Sequence, residues 1–118
     1  MYKVIIAGSR DFTDYPLLCS LMDQELSGKA SVEIVSGGAR GADALGERYA
    51  REHGYALKLF PAEWDKWGKA AGPIRNSQMA GYADALIAFW NGRSAGTRDM
   101  ILKAERKGLR VQVRMLDS

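Results

Sequence analysis

Three glycine-rich segments of this chain could form turns that bind an anion. They are residues 8–11 (GSRD), 36–43 (SGGARGAD) and 91–97 (NGRSAGT), and each follows an apolar run and precedes a helix-like stretch. Glycine permits a sharp turn and lets main-chain N–H groups approach a ligand closely. The helix beyond such a turn adds unpaired N–H groups and the positive end of its dipole. Together the three segments predict a cleft that holds an anion, most plausibly a phosphate.

The ligand-binding residues that we predict in these turns are Gly8, Ser9, Arg10, Asp11, Gly37, Gly38, Ala39, Gly41, Asp43, Gly92, Ser94, Gly96 and Thr97. Main-chain N–H groups and hydroxyls would hold the phosphate, and Arg10 could pair with it. Structural roles explain some of these residues equally well. Arg10 and Asp11 could form a surface pair, and Asp43 or Thr97 could cap a helix.

Arg75, Asn76 and Asp99 are further candidates, outside the glycine-rich turns. Arg75 and Asn76 open a predicted helix just after Gly72 and Pro73. An arginine at a helix N-terminus is disfavoured by the dipole, so we expect its guanidinium to face a ligand or to form a salt bridge. Asp99 lies in the first turn of the last predicted helix, where it could contact a ribose, act as a general base or complement the dipole.

The elements that must position these residues alternate along the chain. Strands are predicted at 2–7, 31–35, 55–60, 85–90 and 109–115, and helices at 15–26, 41–53, 74–82 and 97–107. Residues 61–73 are predicted to be a longer link. This alternation predicts an α/β fold, with a parallel five-stranded sheet and helices on both faces. Right-handed crossovers give the order 3-2-1-4-5 if the first strand is central, with the ligand crevice between strands 1 and 4.

Length and composition limit the function classes. The 118 residues, 47% of them hydrophobic, are enough for one domain, which we expect to span residues 1–118. No apolar run reaches membrane-spanning length and the first residues do not resemble a signal peptide, so we expect a cytoplasmic protein without a membrane partner. One cysteine, Cys19, and one histidine, His53, argue against a disulfide framework or a metal centre, and we expect no metal or cofactor. The net charge of +3 suits an anionic ligand but is too small to indicate nucleic acid.

Four segments taken together resemble one known family over essentially the whole chain. They are residues 8–12 (GSRDF), 36–43, 62–76 (AEWD through GPIRN) and 89–97 (FWNG through SAGT). This set resembles the YspA-like, YpsA-related branch of the SLOG superfamily, which also contains the LOG phosphoribohydrolases and the DNA-processing protein DprA. The resemblance implies a Rossmann-like three-layer α/β/α fold and a nucleotide or nucleotide-derived ligand, in some members bound as a sensor.

The resemblance also suggests catalytic residues. LOG enzymes cleave the N-glycosidic bond of nucleoside 5′-monophosphates with an Arg-Lys-x-x-Met segment and a Pro-Gly-Gly-x-Gly-Thr-x-x-Glu segment. Residues 75–79 (RNSQM) are similar to the first segment, which gives Arg75 a catalytic role. Gly96 and Thr97 match the Gly-Thr of the second, but Met100 stands at the glutamate position. Asp99 lies one residue earlier, which turns it by about 100° on a helix.

Three functions therefore stay open at this stage. The first, which we favour, is a domain that binds a nucleotide ligand, with a role as a sensor as one form of it. The second is a phosphoribohydrolase in which Arg75 acts with Asp99 or Asp11. The third is single-stranded DNA binding by analogy with DprA, against which the interspersed acidic residues argue. We expect a small-molecule partner rather than nucleic acid, and a homodimer only by resemblance to the LOG enzymes.

Overall fold

A computed structural model of the protein describes residues 1–116 and consists of one parallel sheet with helices on both faces. The strands are β1 (Tyr2–Gly8), β2 (Val32–Ser36), β3 (Ala56–Leu59), β4 (Ala85–Trp90) and β5 (Arg110–Met115), and the helices are α1 (Tyr15–Leu26), α2 (Ala42–His53), α3 (Trp64–Trp67), α4 (Ala71–Tyr82) and α5 (Ala95–Arg106). The strand order is β3-β2-β1-β4-β5, with every pair parallel. The predicted Rossmann-like three-layer α/β/α fold and its strand order are confirmed.

The two central strands are the most buried elements of the sheet. Strand β1 pairs with β4 from Val4 opposite Ala85 to Gly8 opposite Phe89. The side chains of residues 85–89 are fully buried, as are those of residues 4–6. Strands that are covered on both faces have near-continuous apolar sequences, which is what these two segments show.

Alternate residues of the strands face different helical layers, because successive side chains of a strand point to opposite faces. Val4 and Ile6 of β1 pack in the core that α1 and α2 cover. Ile5 and Ala7 pack in the second core, under α4 and α5. The helices that follow β1 and β4 therefore lie on opposite faces of the sheet. No helix among residues 1–116 is long and apolar enough to cross a membrane.

The predicted link at residues 61–73 is wrong. This segment contains α3, a 3-10 turn at Gly68–Ala70 and the start of α4 at Ala71. Gly72 and Pro73 thus lie inside the first turn of α4, where proline is tolerated because its missing N–H would have no helical partner. Arg75 lies in the second turn and not at the helix start, so the dipole argument that singled it out does not apply. The predicted bounds of α1 and β4 match the structure, and those of the remaining elements apart from α4 differ from it by one or two residues.

Candidate functional site

The predicted residues converge on a small hollow at the carboxyl ends of β1 and β4. The chain leaves these neighbouring strands toward opposite faces, so a crevice opens between them. The hollow has a volume of roughly 70 Å³. It is lined by Ala7, Gly8, Arg10, Asp43, Arg75, Asn76, Met79, Ser94, Gly96, Thr97 and Met100. We call it the Arg75 hollow.

Arg75 is half-buried in this hollow, and within residues 1–116 its hydrogen-bond partners are neutral groups. Its Nε donates to Oδ1 of Asn76 at 3.0 Å, and an Nη1 hydrogen is donated to the carbonyl oxygen of Gly37. Within residues 1–116, no carboxylate oxygen lies within 4.0 Å of the guanidinium nitrogens. Burial lowers the pKa of Arg75, the nearby Asp43 carboxylate opposes that effect, and the charge of Arg10 lowers the pKa further against a weaker opposing effect of Asp99. The guanidinium stays protonated even so, and its charge is not neutralised by direct contact.

Asp43 places a buried carboxyl group in the same hollow. Its side chain lies in the first turn of α2 and the residue is 5% exposed. Burial raises the pKa of Asp43 to about 6, against the opposing effects of the Ala39 N–H and the Arg75 charge. The N-cap of α2 is Gly41, and Oδ2 of Asp43 instead accepts from Ala39 N at 3.3 Å. Asp43 therefore stabilises the turn before the helix while one side of its carboxyl group borders the hollow.

Gly37 lies where Arg75 and Asp43 approach the main chain. A Cβ placed on Gly37 would lie 2.5 Å from Nη1 of Arg75 and 3.0 Å from Oδ2 of Asp43. The first distance is shorter than real Cβ contacts, and the second is tighter than most of them. A side chain at this position would displace the Arg75 guanidinium, so glycine permits the close approach of two charged groups to the backbone.

The turn between β4 and α5 is fixed by hydrogen bonds within it. Oδ1 of Asn91 accepts from the N–H groups of Arg93 at 2.8 Å and Ser94 at 2.9 Å. Ser94 is the N-cap of α5, and its hydroxyl accepts from Thr97 N at 3.4 Å and contacts the Thr97 hydroxyl at 3.1 Å. Trp90 Nε1 donates to the carbonyl oxygen of Ser94 at 3.1 Å. A rigid helix N-terminus therefore borders the hollow, with its positive dipole end nearby.

Within residues 1–116, hydrogen bonds connect Asp99 to Arg75 through Asn76, and the Asp99 charge also acts on the guanidinium through space. Nδ2 of Asn76 donates to the carbonyl oxygen of Gly96 at 3.2 Å and to Oδ2 of Asp99 at 3.0 Å. The same Asp99 oxygen accepts from Nζ of Lys103 at 2.9 Å. Asp99 does not line the Arg75 hollow. Asp99 is therefore placed to orient the Asn76 side chain and, through Asn76, the Arg75 guanidinium.

Several predicted residues of the first two turns make contacts that stabilise the turns themselves. Ser9 is 1% exposed, and its hydroxyl accepts from Asn91 N at 3.1 Å, which joins the turns after β1 and β4. Gly38 donates its N–H to Oγ of Ser36 at 3.1 Å. Gly41 has φ +75° and packs directly against the carbonyl oxygen of Ser9. These residues build the crevice rather than line it.

Two other predicted residues lie away from the hollow. Asp11 is exposed and lines a separate, larger hollow next to α1. Gly92 has φ +80° and would place a Cβ 3.4 Å from the methyl carbon of Met115, so it serves the tight turn after β4. Asp11, offered from the sequence as a possible catalytic carboxylate, is not brought to Arg75.

Sequence reasoning missed the apolar floor of the hollow. Met79 and Met100 are each 1% exposed and line it from α4 and α5. Met79 stands four residues after Arg75, so both lie on one face of α4. That spacing was a usable signal for Met79. Met100 was considered only as the residue that replaces a family glutamate.

Comparisons with known proteins agree with this fold. The model of the YspA, cpYpsA-related SLOG family matches residues 2–67, and the chain belongs to that family. The Gene 61 protein of Mycobacterium phage D29 is 39% identical over 119 residues, which cover 94% of each chain. The X-ray structure of DNA processing protein A (DprA) from Streptococcus pneumoniae superposes with a TM-score of 0.77 at 22% identity. That match covers 96% of this chain but only 50% of the DprA chain, and it shows the fold alone.

Proposed function

We propose that the protein binds a nucleotide or nucleotide-derived ligand and holds its phosphate group in the Arg75 hollow. The observation that carries this proposal is the half-buried Arg75 guanidinium, which has neutral partners at Gly37 and Asn76 and no carboxylate within ion-pair distance among residues 1–116. A charge that is partly desolvated and not neutralised favours an anionic ligand. The Arg10 charge and the N-terminus of α5 act in the same direction.

The size of the hollow fits this assignment. A volume of roughly 70 Å³ holds a few water-sized groups. That is enough for a phosphate group and too little for a whole nucleotide, so the rest of the ligand must extend outward. Asp43 is the acceptor best placed for a ribose hydroxyl, because Oδ2 of Asp99 already accepts from Asn76 and Lys103.

Asp43 also favours a second function, the hydrolysis of the N-glycosidic bond of a nucleoside 5′-monophosphate. Its burial gives it a pKa of about 6, which is near the range of an effective general base. In this reaction the oxygen of water bonds to the anomeric carbon, the bond from that carbon to the base nitrogen breaks, and Asp43 takes the proton from the water. The departing base nitrogen takes up one proton from solvent, and Asp43 releases its proton to solvent after the reaction. Before Asp43 takes the proton, its carboxylate would stabilise the oxocarbenium-like transition state.

One NMR experiment separates binding from hydrolysis. The protein is mixed with a panel of nucleoside 5′-monophosphates, and proton and phosphorus spectra are followed for hours. Broadened or shifted ligand lines without new signals support binding alone. Free base and ribose 5-phosphate would establish the hydrolase. If no ligand lines change and no product forms, both proposals are wrong for this ligand class.

We propose a small molecule rather than DNA as the partner, because the groups that attract an anion surround a small hollow and not a long groove. Binding of a single-stranded oligonucleotide in a salt titration tests this. A protein that contacts many phosphates shows a steep loss of affinity with salt. Such a dependence, at affinities tighter than those for mononucleotides, would contradict the proposal.

A further inference from the structure

We infer that Trp64 is the platform on which the base of the bound nucleotide stacks. The inference rests on the proposed function and deepens it. It assigns the ligand as a nucleoside 5′-phosphate that extends from the Arg75 hollow to α3. The base would lie against the indole ring, outside the hollow that holds the phosphate.

The exposure of Trp64 is the first observation. About half of this residue, 52%, is exposed. Within residues 1–116 its ring has neither an aromatic nor a cationic partner. The other tryptophans differ, because Trp67 has the Lys66 ammonium 5.1 Å from its ring centroid and Trp90 donates to the carbonyl oxygen of Ser94. Trp64 is therefore the tryptophan whose ring is open to an aromatic ligand.

The second observation is the position of Trp64 relative to Arg75. A Cβ placed on Gly72 would lie 3.5 Å from Cη2 of Trp64 and 3.9 Å from Nη2 of Arg75. The edge of the indole and the guanidinium thus converge on the same point of α4. Gly72 places no side chain between the indole edge and the guanidinium, although Trp64 does not itself line the Arg75 hollow. The inferred ligand spans the distance from Arg75 to the indole ring.

The residues beside Trp64 suit a base better than a phosphate. A hollow of roughly 310 Å³ is lined by Ala62, Glu63, Trp64, Asp65 and Lys66. The Glu63 and Asp65 carboxylates outnumber the Lys66 ammonium, but all three groups are exposed, so their net effect on a phosphate is weak. The two carboxylates can accept the amino N–H groups of a base. The phosphate therefore belongs at Arg75 and the base at Trp64. Adenine, guanine and cytosine carry such an amino group and uracil does not.

Isothermal titration of the full-length protein with AMP, UMP, ribose 5-phosphate and inorganic phosphate tests this inference. Base stacking on an aromatic side chain corresponds to roughly 5- to 150-fold in affinity by alanine substitution. We expect Trp64→Ala to lower the affinity for AMP by a factor in this range and to leave the affinity for ribose 5-phosphate unchanged. Trp64→Phe should keep most of the AMP affinity. Trp67→Ala is the matched control, since that residue is 46% exposed on the same short helix, and it should leave AMP binding unchanged.

Fluorescence provides a second readout that does not depend on the alanine variant. Stacking of adenine should quench tryptophan emission in the wild type and in Trp67→Phe but not in Trp64→Phe. In the titrations, AMP should also bind more tightly than UMP, because uracil has no amino group for Glu63 and Asp65 to accept from.

The outcomes separate this inference from the proposed function. If ribose 5-phosphate binds and AMP binds no tighter, or if Trp64→Ala binds AMP like the wild type, the stacking inference is overturned and the phosphate site stands. If Trp64→Ala loses affinity for AMP and for ribose 5-phosphate equally, Trp64 is a structural support of Arg75. That result would also overturn the stacking inference. Equal affinity for AMP and UMP would overturn the role of Glu63 and Asp65. If none of the four ligands binds the wild type, the proposed function fails and the inference fails with it.

Discussion

Two hollows at the carboxyl end of the sheet differ in size and in the state of their polar groups. The larger, roughly 490 Å³, lies between the turn after β1, helix α1 and the end of β5. Its polar groups already stabilise turns, since Asp14 accepts from Leu17 N at 3.1 Å and Asn91 accepts from two N–H groups. The Arg75 hollow is several times smaller but contains a buried carboxyl group and a guanidinium without a direct counter-charge. The Arg75 hollow is the better candidate site because of these two charged groups, although its volume is smaller.

The cations of the larger hollow support the same conclusion. Arg93 and Arg114 line it, but both are exposed. Exposed charges are solvated and screened, so an anion gains little by binding to them. Arg75 is half-buried and pre-oriented by Gly37 and Asn76, which makes its charge more effective.

Removal of the Arg75 guanidinium is the strongest test of this comparison. Arg75→Ala should lower the affinity for ribose 5-phosphate about 100-fold, because a charge-assisted hydrogen bond of about 2–3 kcal/mol is lost. Arg93→Ala and Arg114→Ala are matched controls in the larger hollow and should change the affinity less than twofold. Titration calorimetry measures all three, with thermal melts to show that each variant is folded. A larger loss in either control than in Arg75→Ala would mean that the larger hollow is the binding site.

The burial of Asp43 predicts how stability depends on pH. Its pKa rises from 3.8 to about 6 on folding, so the folded protein holds a proton that the unfolded chain releases. The stabilisation from that proton is complete below pH 3.8 and is lost as the pH rises through 6. The loss is roughly 3 kcal/mol. Asp43→Asn should lack this decline. The unfolding free energy of the variant should therefore rise relative to that of the wild type as the pH increases from 4 to 7.

Urea unfolding of both proteins at several pH values measures the difference. The two proteins share every other titrating group, so the difference isolates Asp43. Parallel curves across this range would show that the carboxyl group is solvated and not part of a buried site.

Gly37→Ala tests whether close packing orients Arg75. The added methyl group would lie 2.5 Å from Nη1, so the guanidinium must move. We expect ribose 5-phosphate to bind about tenfold more weakly, a cost of about 1.4 kcal/mol. Gly81→Ala is the control, because it meets no atom within 4 Å in the same helix as Arg75. It should leave affinity unchanged and stabilise the protein by about 0.5–1 kcal/mol. Unchanged affinity in Gly37→Ala would show that Arg75 needs no support from this turn.

The sheet could be predicted from the sequence because its signals are local. Apolar runs in β1 and β4, and glycines after them, mark a buried parallel strand and its turn. The start of α4 was missed because Gly72 and Pro73 signal a break, whereas packing of α3 and α4 overrides that local preference. Which glycine turns border the Arg75 hollow was also not predictable. That depends on contacts between distant residues, such as the one between Gly37 and Arg75, and sequence periodicity carries no information about them.

Asp99 offers the smallest and most discriminating test. If Asp99 orients Asn76 and Arg75, Asp99→Asn should lower the affinity for ribose 5-phosphate only about two- to fivefold. The new side chain still accepts a hydrogen bond from Asn76, but the ion pair with Lys103 is lost. Lys103→Gln removes the same pair from the other side and should produce an effect of similar size. If Asp99 instead takes part in base release, Asp99→Asn would abolish product formation while sparing binding, and Lys103→Gln would not reproduce that loss. Binding and NMR product assays on both variants therefore distinguish a positioning residue from a catalytic one.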